Sequence, residues 1–599
     1  MAPEISASKR LAAFRQQLKE QNLDGFIIPR ADEHQGEYVP AHADRLAWLT
    51  GFTGSAGNAV ILQNRAALFV DGRYTLQVLN EADESHYDFP SFTEEPPAKW
   101  ITKHIPAGAK LGYDPWLHTP HQVTRIKTAC AKADAELVAC TENPVDAIWS
   151  DQPPPPVSPA VPLGIEFTGR TSREKRNDIG KQLQAEKLDA AVLAAPDSIS
   201  WLLNMRGADV PYSPLVLCFA LIHSDGDVDL FIDPQKITAE LSAALDGGVK
   251  IRSRKEMADA LDTVGRAEKS VSLDPNGVPT WIQDRLNQAG ASVVFANDPC
   301  QLPKALKNDT ELNGIRDAHH RDGAALTQFL AWLAKAAPEG NVTEISAADK
   351  LEQFRSANAS FQGLSFTTIS GSGPNGAIVH YRVTPESNRP LELGSLYLVD
   401  SGAQYPDGTT DVTRTIAIGK PSDEMRNRFT LVLQGHIALA HATFPKGTTG
   451  SQLDPLARRA LWAAGLDYDH GTGHGVGHYL SVHEGPQRIS KAGNTVALQP
   501  GMVISNEPGY YKTDAYGIRI ENLQAVCTVD TPVNGEKELL GFEALTLAPI
   551  DLALVDTAIL TAEETEWLNA YHARVKAEIG PLVDDATRIW LETAAKPIS

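Results

Sequence analysis

The chain has 599 residues, a formal net charge of −21 at pH 7 and five cysteines. That length exceeds one ordinary core and implies two or three domains, while the acidic balance argues against nucleic acid or an anionic membrane as partner. Cys130, Cys140, Cys218, Cys300 and Cys527 have neither metal-ligand spacing nor a disulfide framework, which points to inert thiols in a reducing compartment.

Residues 1–10 lack an apolar signal core and no run approaches the length of a membrane span, so a soluble, cytoplasmic protein is expected. Leu11, Phe14 and Leu18 fall at helical spacing and lead into the strand-like Gly25-Phe26-Ile27-Ile28-Pro29. Further apolar runs at 59–62 and 67–70 complete the signature of an α/β domain over residues 1–152. It ends at Pro153-Pro154-Pro155-Pro156, which can continue neither a helix nor a central strand. Residues 160–305 then repeat the theme. Gln17-Leu18 with Leu23-Asp24 is echoed by Gln182-Leu183 with Leu188-Asp189, Trp48-Leu49 by Trp201-Leu202, and Leu68-Phe69-Val70-Asp71 by Leu230-Phe231-Ile232-Asp233. Short matches in one order suggest a duplicated α/β module.

A third domain, 308–599, opens on Asn308-Asp309-Thr310-Glu311, a capping-box pattern. Leu312, Ile315, Leu326, Phe329, Leu330 and Leu333 supply one apolar helix face, on which His319 and His320 read as packing or surface residues. Near the end, residues 545–550 read as a last strand. Thr561 and Glu564 cap a helix whose Trp567, Tyr571 and Val575 recur at four-residue spacing and belong to a core.

The chemistry lies between these elements. An apolar run ending in Asp400 and another beginning at Asp411 flank Tyr405-Pro406-Asp407-Gly408, a turn signal. A hairpin closing near residues 405 and 406 would set Asp400 opposite Asp411, and facing carboxylates repel unless a cation lies between them. Read singly, each is a solvated turn aspartate. His474 sits in a glycine-flanked loop, where an imidazole can approach a metal without crowding. Glu507 ends the strand-like 502–506 before Pro508-Gly509. Glu521 lies in 517–522, where alternation puts Arg519 on the same face, able to hold a carboxylate in orientation. Either glutamate alone reads as an exposed strand-end charge. Together, four carboxylates and one imidazole suit two hard or borderline divalent ions, Mn²⁺ ahead of any thiolate-preferring metal.

The order Asp400, Asp411, His474, Glu507, Glu521, set in the words GAIVHY, VDSGAQYPDGTTDVTRT, HGTGHGVGHYLSVHEGP, NEPGYY and GIRIEN, resembles the pita-bread metallopeptidases, in particular the cytosolic three-domain aminopeptidase P (Xaa-Pro aminopeptidase) family. The motifs fall between Gly376 and Asn522; the resemblance in layout covers the whole chain. It implies two related α/β domains followed by a pita-bread α+β catalytic domain with a C-terminal extension, and a homodimer. It implies removal of the N-terminal residue from peptides with proline in second position, by a water shared between two metals. On that pattern Asp400 binds one metal through both oxygens, Asp411 and Glu521 bridge, and His474 and Glu507 bind the other, with Glu507 also the general base. His380 and His483 match histidines that hydrogen-bond the substrate and the developing oxyanion, and His470 one that shapes the pocket near the scissile proline. The structural alternatives are a buried strand-end histidine for His380 and a glycine-loop role for His470 and His483. His478 matches no catalytic position and reads as structural. Prolidase, the nearest rival, carries one domain before the metal region, where about 300 residues, enough for two, stand here. Methionine aminopeptidase lacks so long an N-terminal part, and a non-catalytic or metal-free member of the fold would have lost ligands.

Overall fold

The computed structural model describes residues 6–92 and 94–599, so the reading of the chain's start falls partly outside the described residues. The chain forms two compact units: residues up to Leu163 with Arg170–Gln301, and Gly164–Gly169 with Leu302–Ser599. No helix among the described residues is long and apolar enough to cross a membrane.

The first unit holds two sheets built on one plan. Helix α1 (Ala7–Glu20) buries Leu11, Phe14 and Leu18 and leads into β1 (Gly25–Pro29). With β2 (Gly57–Leu62), β3 (Ala66–Val70), β4 (Lys110–Tyr113) and β5 (Glu136–Ala139) it forms a sheet of order β3-β2-β1-β4-β5. Helix α2 (Ser172–Ala185) likewise precedes β6 (Ala190–Leu193). This strand is joined by β7 (Phe219–His223), β8 (Val228–Phe231), β9 (Val249–Arg252), β10 (Ser270–Leu273) and β11 (Ser292–Phe295), in the order β9-β8-β7-β6-β10-β11. Apart from the added edge strand β9, order and direction agree. The first strand of each sheet pairs antiparallel with the second, and parallel with β4 in the first sheet and β10 in the second. The echoed segments at 68–71 and 230–233 begin on β3 and β8, the corresponding strands, as a duplicated module requires.

The second unit opens on α3 (Asp309–Ala336). The Asn308 side chain accepts from the Glu311 N–H, and the Glu311 carboxylate from the Asn308 N–H. Ile315, Leu326, Phe329, Leu330 and Leu333 are buried, each worth about 1.5–3 kcal/mol over exposure. His319 is packed inside against the Ile315 carbonyl, and His320 pairs with Glu578. After α4 (Glu344–Ser356), the strands β12 (Ile369–Ser372), β13 (Leu396–Ser401) and β14 (Val412–Ala417) form an antiparallel sheet. A larger sheet has the order β15-β22-β21-β18-β16-β17. Its strands are β15 (Phe444–Pro445), β16 (Gly473–Gly475), β17 (Glu484–Ile489), β18 (Val503–Asn506), β21 (Asn522–Val529) and β22 (Leu539–Ala544). Between β18 and β21 lies a two-stranded ribbon of β19 (Gly509–Lys512) and β20 (Tyr516–Arg519). The capped helix α5 (Ala562–Ile579) buries Tyr571 and Val575 as its spacing predicts.

Two expectations need correction, and one structural alternative falls. The hairpin turns on Pro406-Asp407, with Tyr405 opposite Gly408, so Asp400 faces Thr413 rather than Asp411. The shift is two residues, which preserves the face and makes the aspartates diagonal neighbours. The last strand is β22, ahead of the predicted segment. Residues 545–550 leave the ladder: the Leu545 and Thr546 N–H groups still donate to the Leu523 carbonyl, and from Ala548 on side chains take over, Arg414 donating to the Ala548 and Pro549 carbonyls and His572 accepting from the Ile550 N–H. Finally, residues 373–377 are a 3₁₀ turn, so His380 follows a turn and is half-buried there, not at a strand end.

Candidate metal centre

Strand ends converge on this site. Asp400 lies in β13, and Asp411 immediately precedes β14. The β18–β21 ladder closes with Asn506 opposite Asn522, so Glu507 and Glu521 face each other one step beyond it. His474 lies in a strand, not in the loop its glycines predict: it is the middle residue of β16, pressed between β17 and β18, because glycines let the neighbouring backbones close in and pair. A Cβ on Gly473 would come within 2.0 Å of the Ser505 carbonyl oxygen, and one on Gly475 within 2.5 Å of the Glu484 carbonyl. Only glycine permits that approach, which is why the metal-ligand histidine expected from sequence is flanked by it.

Ligand atoms of Asp411, His474 and Glu521 all lie within 4.8 Å of one another. His474 Nε2 stands 3.4 Å from Asp411 Oδ2 and 3.6 Å from Glu507 Oε1. Its Nδ1 is 3.0 Å from the Gly475 carbonyl; donation there leaves the Nε2 lone pair directed at the carboxylates. Arg519 donates to Asp400 Oδ2 (2.6 Å), to Thr413 Oγ1 and to the Tyr511 hydroxyl (2.6 Å). Thr413 in turn donates to Glu521 Oε2 (2.7 Å). The carboxylate Arg519 holds is therefore that of Asp400, and Thr413 links it to Glu521.

The histidines are distributed around this cluster. The His483 ring packs edge-on to His474, centroids 4.3 Å apart. His470 Nε2 lies 2.8 Å from the Tyr511 hydroxyl, and its Nδ1 3.9 Å from Glu507 Oε2. His478 is buried. Three residues escaped the sequence reading: Thr413, Tyr511, and Ser505, whose hydroxyl donates to Glu507 Oε1 (3.1 Å) and accepts from the His474 N–H (2.9 Å). Tyr511 lay within a quoted motif, but nothing local marks a threonine or serine hydroxyl as the support of a carboxylate.

Residues 313–527 match the model of metallopeptidase family M24, and 538–598 that of the C-terminal region of peptidase M24. The creatinase/prolidase N-terminal domain is matched twice, at 10–148 and 151–311. Aminopeptidase P1 of Lotus japonicus is 39% identical over 96% of this chain and 97% of its own length. The crystal structure of X-prolyl aminopeptidase from Caenorhabditis elegans, described as a cytosolic enzyme with a di-nuclear active site, is 36% identical. It covers 99% of this chain and 100% of its own with a TM-score of 0.94. This chain is a member of the Xaa-Pro aminopeptidase family. Dipeptidase PepE of Mycobacterium ulcerans, 26% identical with a TM-score of 0.51, covers 97% of its own length but 64% of this chain. A dipeptidase of that kind leaves a third of this Xaa-Pro aminopeptidase homologue unaccounted for.

The residues present fit divalent metal. Asp400 Oδ1 is buried with no hydrogen-bond partner, an orphan that a cation satisfies. Burial pushes the Asp400 carboxyl up to about 6 in spite of Arg519, with the Asp411 charge adding to the rise. Burial, then the charges of Asp411, Asp400 and Glu507, raises Glu521 well above the usual carboxylate range. Burial also raises Glu507 against the pull of His474 and Arg519. For His474 burial acts downward, and the Asp411 contact with the Glu507 charge outweighs it, to about 9. Carboxylates this close obstruct each other's ionisation, and cations between them remove the conflict.

Proposed function

We propose that this chain is a metal-dependent Xaa-Pro aminopeptidase, releasing the N-terminal residue from peptides whose second residue is proline. The observation that carries the reading is the convergence of Asp411, His474 and Glu521 beside the orphaned Asp400 Oδ1. Asp400, Asp411, His474, Glu507 and Glu521 would hold two divalent ions, Mn²⁺ by the hardness of an all-oxygen set with one imidazole. When bound, such ions lower the pKa of water toward neutrality and polarise the scissile carbonyl.

The protein's own groups supply the rest. Glu507 takes the proton of the attacking water, its carboxylate steadied by the Ser505 hydroxyl at Oε1. Arg519 fixes Asp400, and Thr413 fixes Glu521, so two ligands share one support. His380 and His483 donate to the substrate and to the charge developing on the carbonyl oxygen, a contribution of about 3–4 kcal/mol per donor. His470, tied to Tyr511, shapes the wall near the scissile proline. An X-Pro bond has no N–H to grip and a ring that fixes φ, so selectivity rests on pocket shape and on capture of the free amine. The domain division 1–152, 160–305 and 308–599, a homodimeric assembly and a cytoplasmic location complete the proposal, carried by family resemblance.

The test is turnover by metal-stripped enzyme reloaded with Mn²⁺, comparing Xaa-Pro-Yaa tripeptides with Xaa-Pro dipeptides. Cleavage of tripeptides is expected; activity on dipeptides alone would replace this reading with a prolidase.

A further inference from the structure

Glu344, the first residue of α4, is fully buried and stands outside the metal centre. Its two oxygens accept hydrogen bonds from the Ser372 N–H (2.7 Å), the Arg389 N–H (2.9 Å), the Asn375 amide (3.0 and 3.1 Å) and the Tyr381 hydroxyl (3.0 Å). All four donors belong to one excursion of the chain, residues 372–389, that leaves β12 and returns toward β13. The same excursion carries His380, next to Tyr381.

The donors of this network favour the ionised acid and work against burial, which raises the Glu344 carboxyl. Two backbone N–H groups and an amide NH₂ face the carboxylate; a glutamine there would set its own NH₂ against donors. The network is also local to one strip of chain, since the Asn375 amide reaches on to the Ser387 carbonyl, and the Ser387 hydroxyl lies 2.8 Å from the Tyr381 hydroxyl and accepts from the Thr384 N–H. On its other side the excursion meets the metal-centre ribbon. A Cβ on Gly517 of β20 would lie 1.7 Å from the Gly376 carbonyl oxygen, two residues from the Arg519 that holds Asp400. The backbone before His380 is thus fixed against β20, and the backbone around it against Glu344.

We propose that Glu344 is a positioning residue for His380, a buried anion that pins the 372–389 excursion so that the imidazole stands where it meets the substrate. The proposal rests on the role given to His380 above. A donor aimed at developing charge must be placed to about 0.5 Å, and a misplacement of about 1 Å costs on the order of 100-fold.

The test is a double-mutant cycle on full-length, Mn²⁺-loaded enzyme. Glu344→Gln should lower kcat on an Xaa-Pro-Yaa tripeptide about 100-fold, and Tyr381→Phe about 5- to 10-fold, with KM and Mn²⁺ content nearly unchanged. In a His380→Ala background both losses should shrink to less than about twofold, because the group they act through is gone. If Glu344→Gln does not fold, Tyr381→Phe and Ser387→Ala decide, each removing one anchor of the excursion. Full kcat in folded Tyr381→Phe and Glu344→Gln would overturn the proposal. So would losses that persist undiminished in His380→Ala, which would leave the role of His380 standing. Full activity of His380→Ala itself would overturn that role, and the proposal with it.

Discussion

The catalytic unit buries charge in two places, by opposite means. Lys304 and Lys307 both donate to Glu484, Lys304 at 2.6 Å, and the Glu311 charge also acts on Lys307. There the chain brings both signs, two lysines with two glutamates, all buried. Around Asp400, Asp411, Glu507 and Glu521 it brings four carboxylates against Arg519 and His474, and leaves one buried carboxylate oxygen without a partner. Desolvating ions is expensive, so a buried cluster must be neutralised from within or from outside. The first cluster is a structural clasp on the residue after His483. The second is an anionic cradle whose balancing charge the proposed divalent ions would supply.

The largest effect should come from separating charge from chemistry within the cradle. Glu507→Gln keeps one ligand oxygen and loses the base, so kcat should fall by about 10³-fold while metal content holds. Metal analysis beside single-turnover rates checks this, and retained activity would remove Glu507 as base.

The clasp should respond in stability instead. Glu484→Gln leaves two buried ammonium groups facing an amide and should cost about 3–5 kcal/mol. Lys307→Met should cost clearly less, because Glu484 keeps Lys304. Denaturant unfolding of both variants tests the order; equal losses would mean the lysines do not share Glu484.

Metal addition sharpens the contrast further. At a hundredfold excess over Kd, Mn²⁺ should stabilise the catalytic unit by about 2.7 kcal/mol. The same increment should appear in Lys307→Met and be absent from Asp411→Ala, read as thermal midpoints with and without chelator.

The proposed metal set was legible because its chemistry restricts residue type and its geometry restricts the neighbours. His474 needed glycines on both sides, and Glu507 and Glu521 had to end strands. The hairpin register was not legible, since closing the turn one residue later shifts pairing by two and keeps every side chain on its face. Residues 545–550 misled for a different reason. Their apolar run looks like a strand, yet from Ala548 on the partners of its backbone are the side chains of Arg414, Tyr571 and His572, the first about 130 positions away in sequence. Thr413 and Ser505 were invisible because a hydroxyl that donates to one carboxylate carries no local pattern.

His572 shows a third way to bury a titratable group, which is to keep it uncharged. Its Nε2 accepts the Ile550 N–H (3.0 Å), a bond that only the neutral ring can make. Burial, with Arg414 and Lys576 nearby, pulls it down to about 4. The unfolded ring titrates near 6.5, so below that pH the unfolded chain binds a proton that the folded one refuses. Stability is therefore complete above about 6.5 and is lost as pH falls toward 4, by about 2 kcal/mol at pH 5 for this one residue. His572→Gln offers Ile550 an acceptor that does not titrate. It should flatten the slope of unfolding free energy between pH 7 and 5 by that amount, and an unchanged slope would mean that His572 does not govern acid sensitivity here.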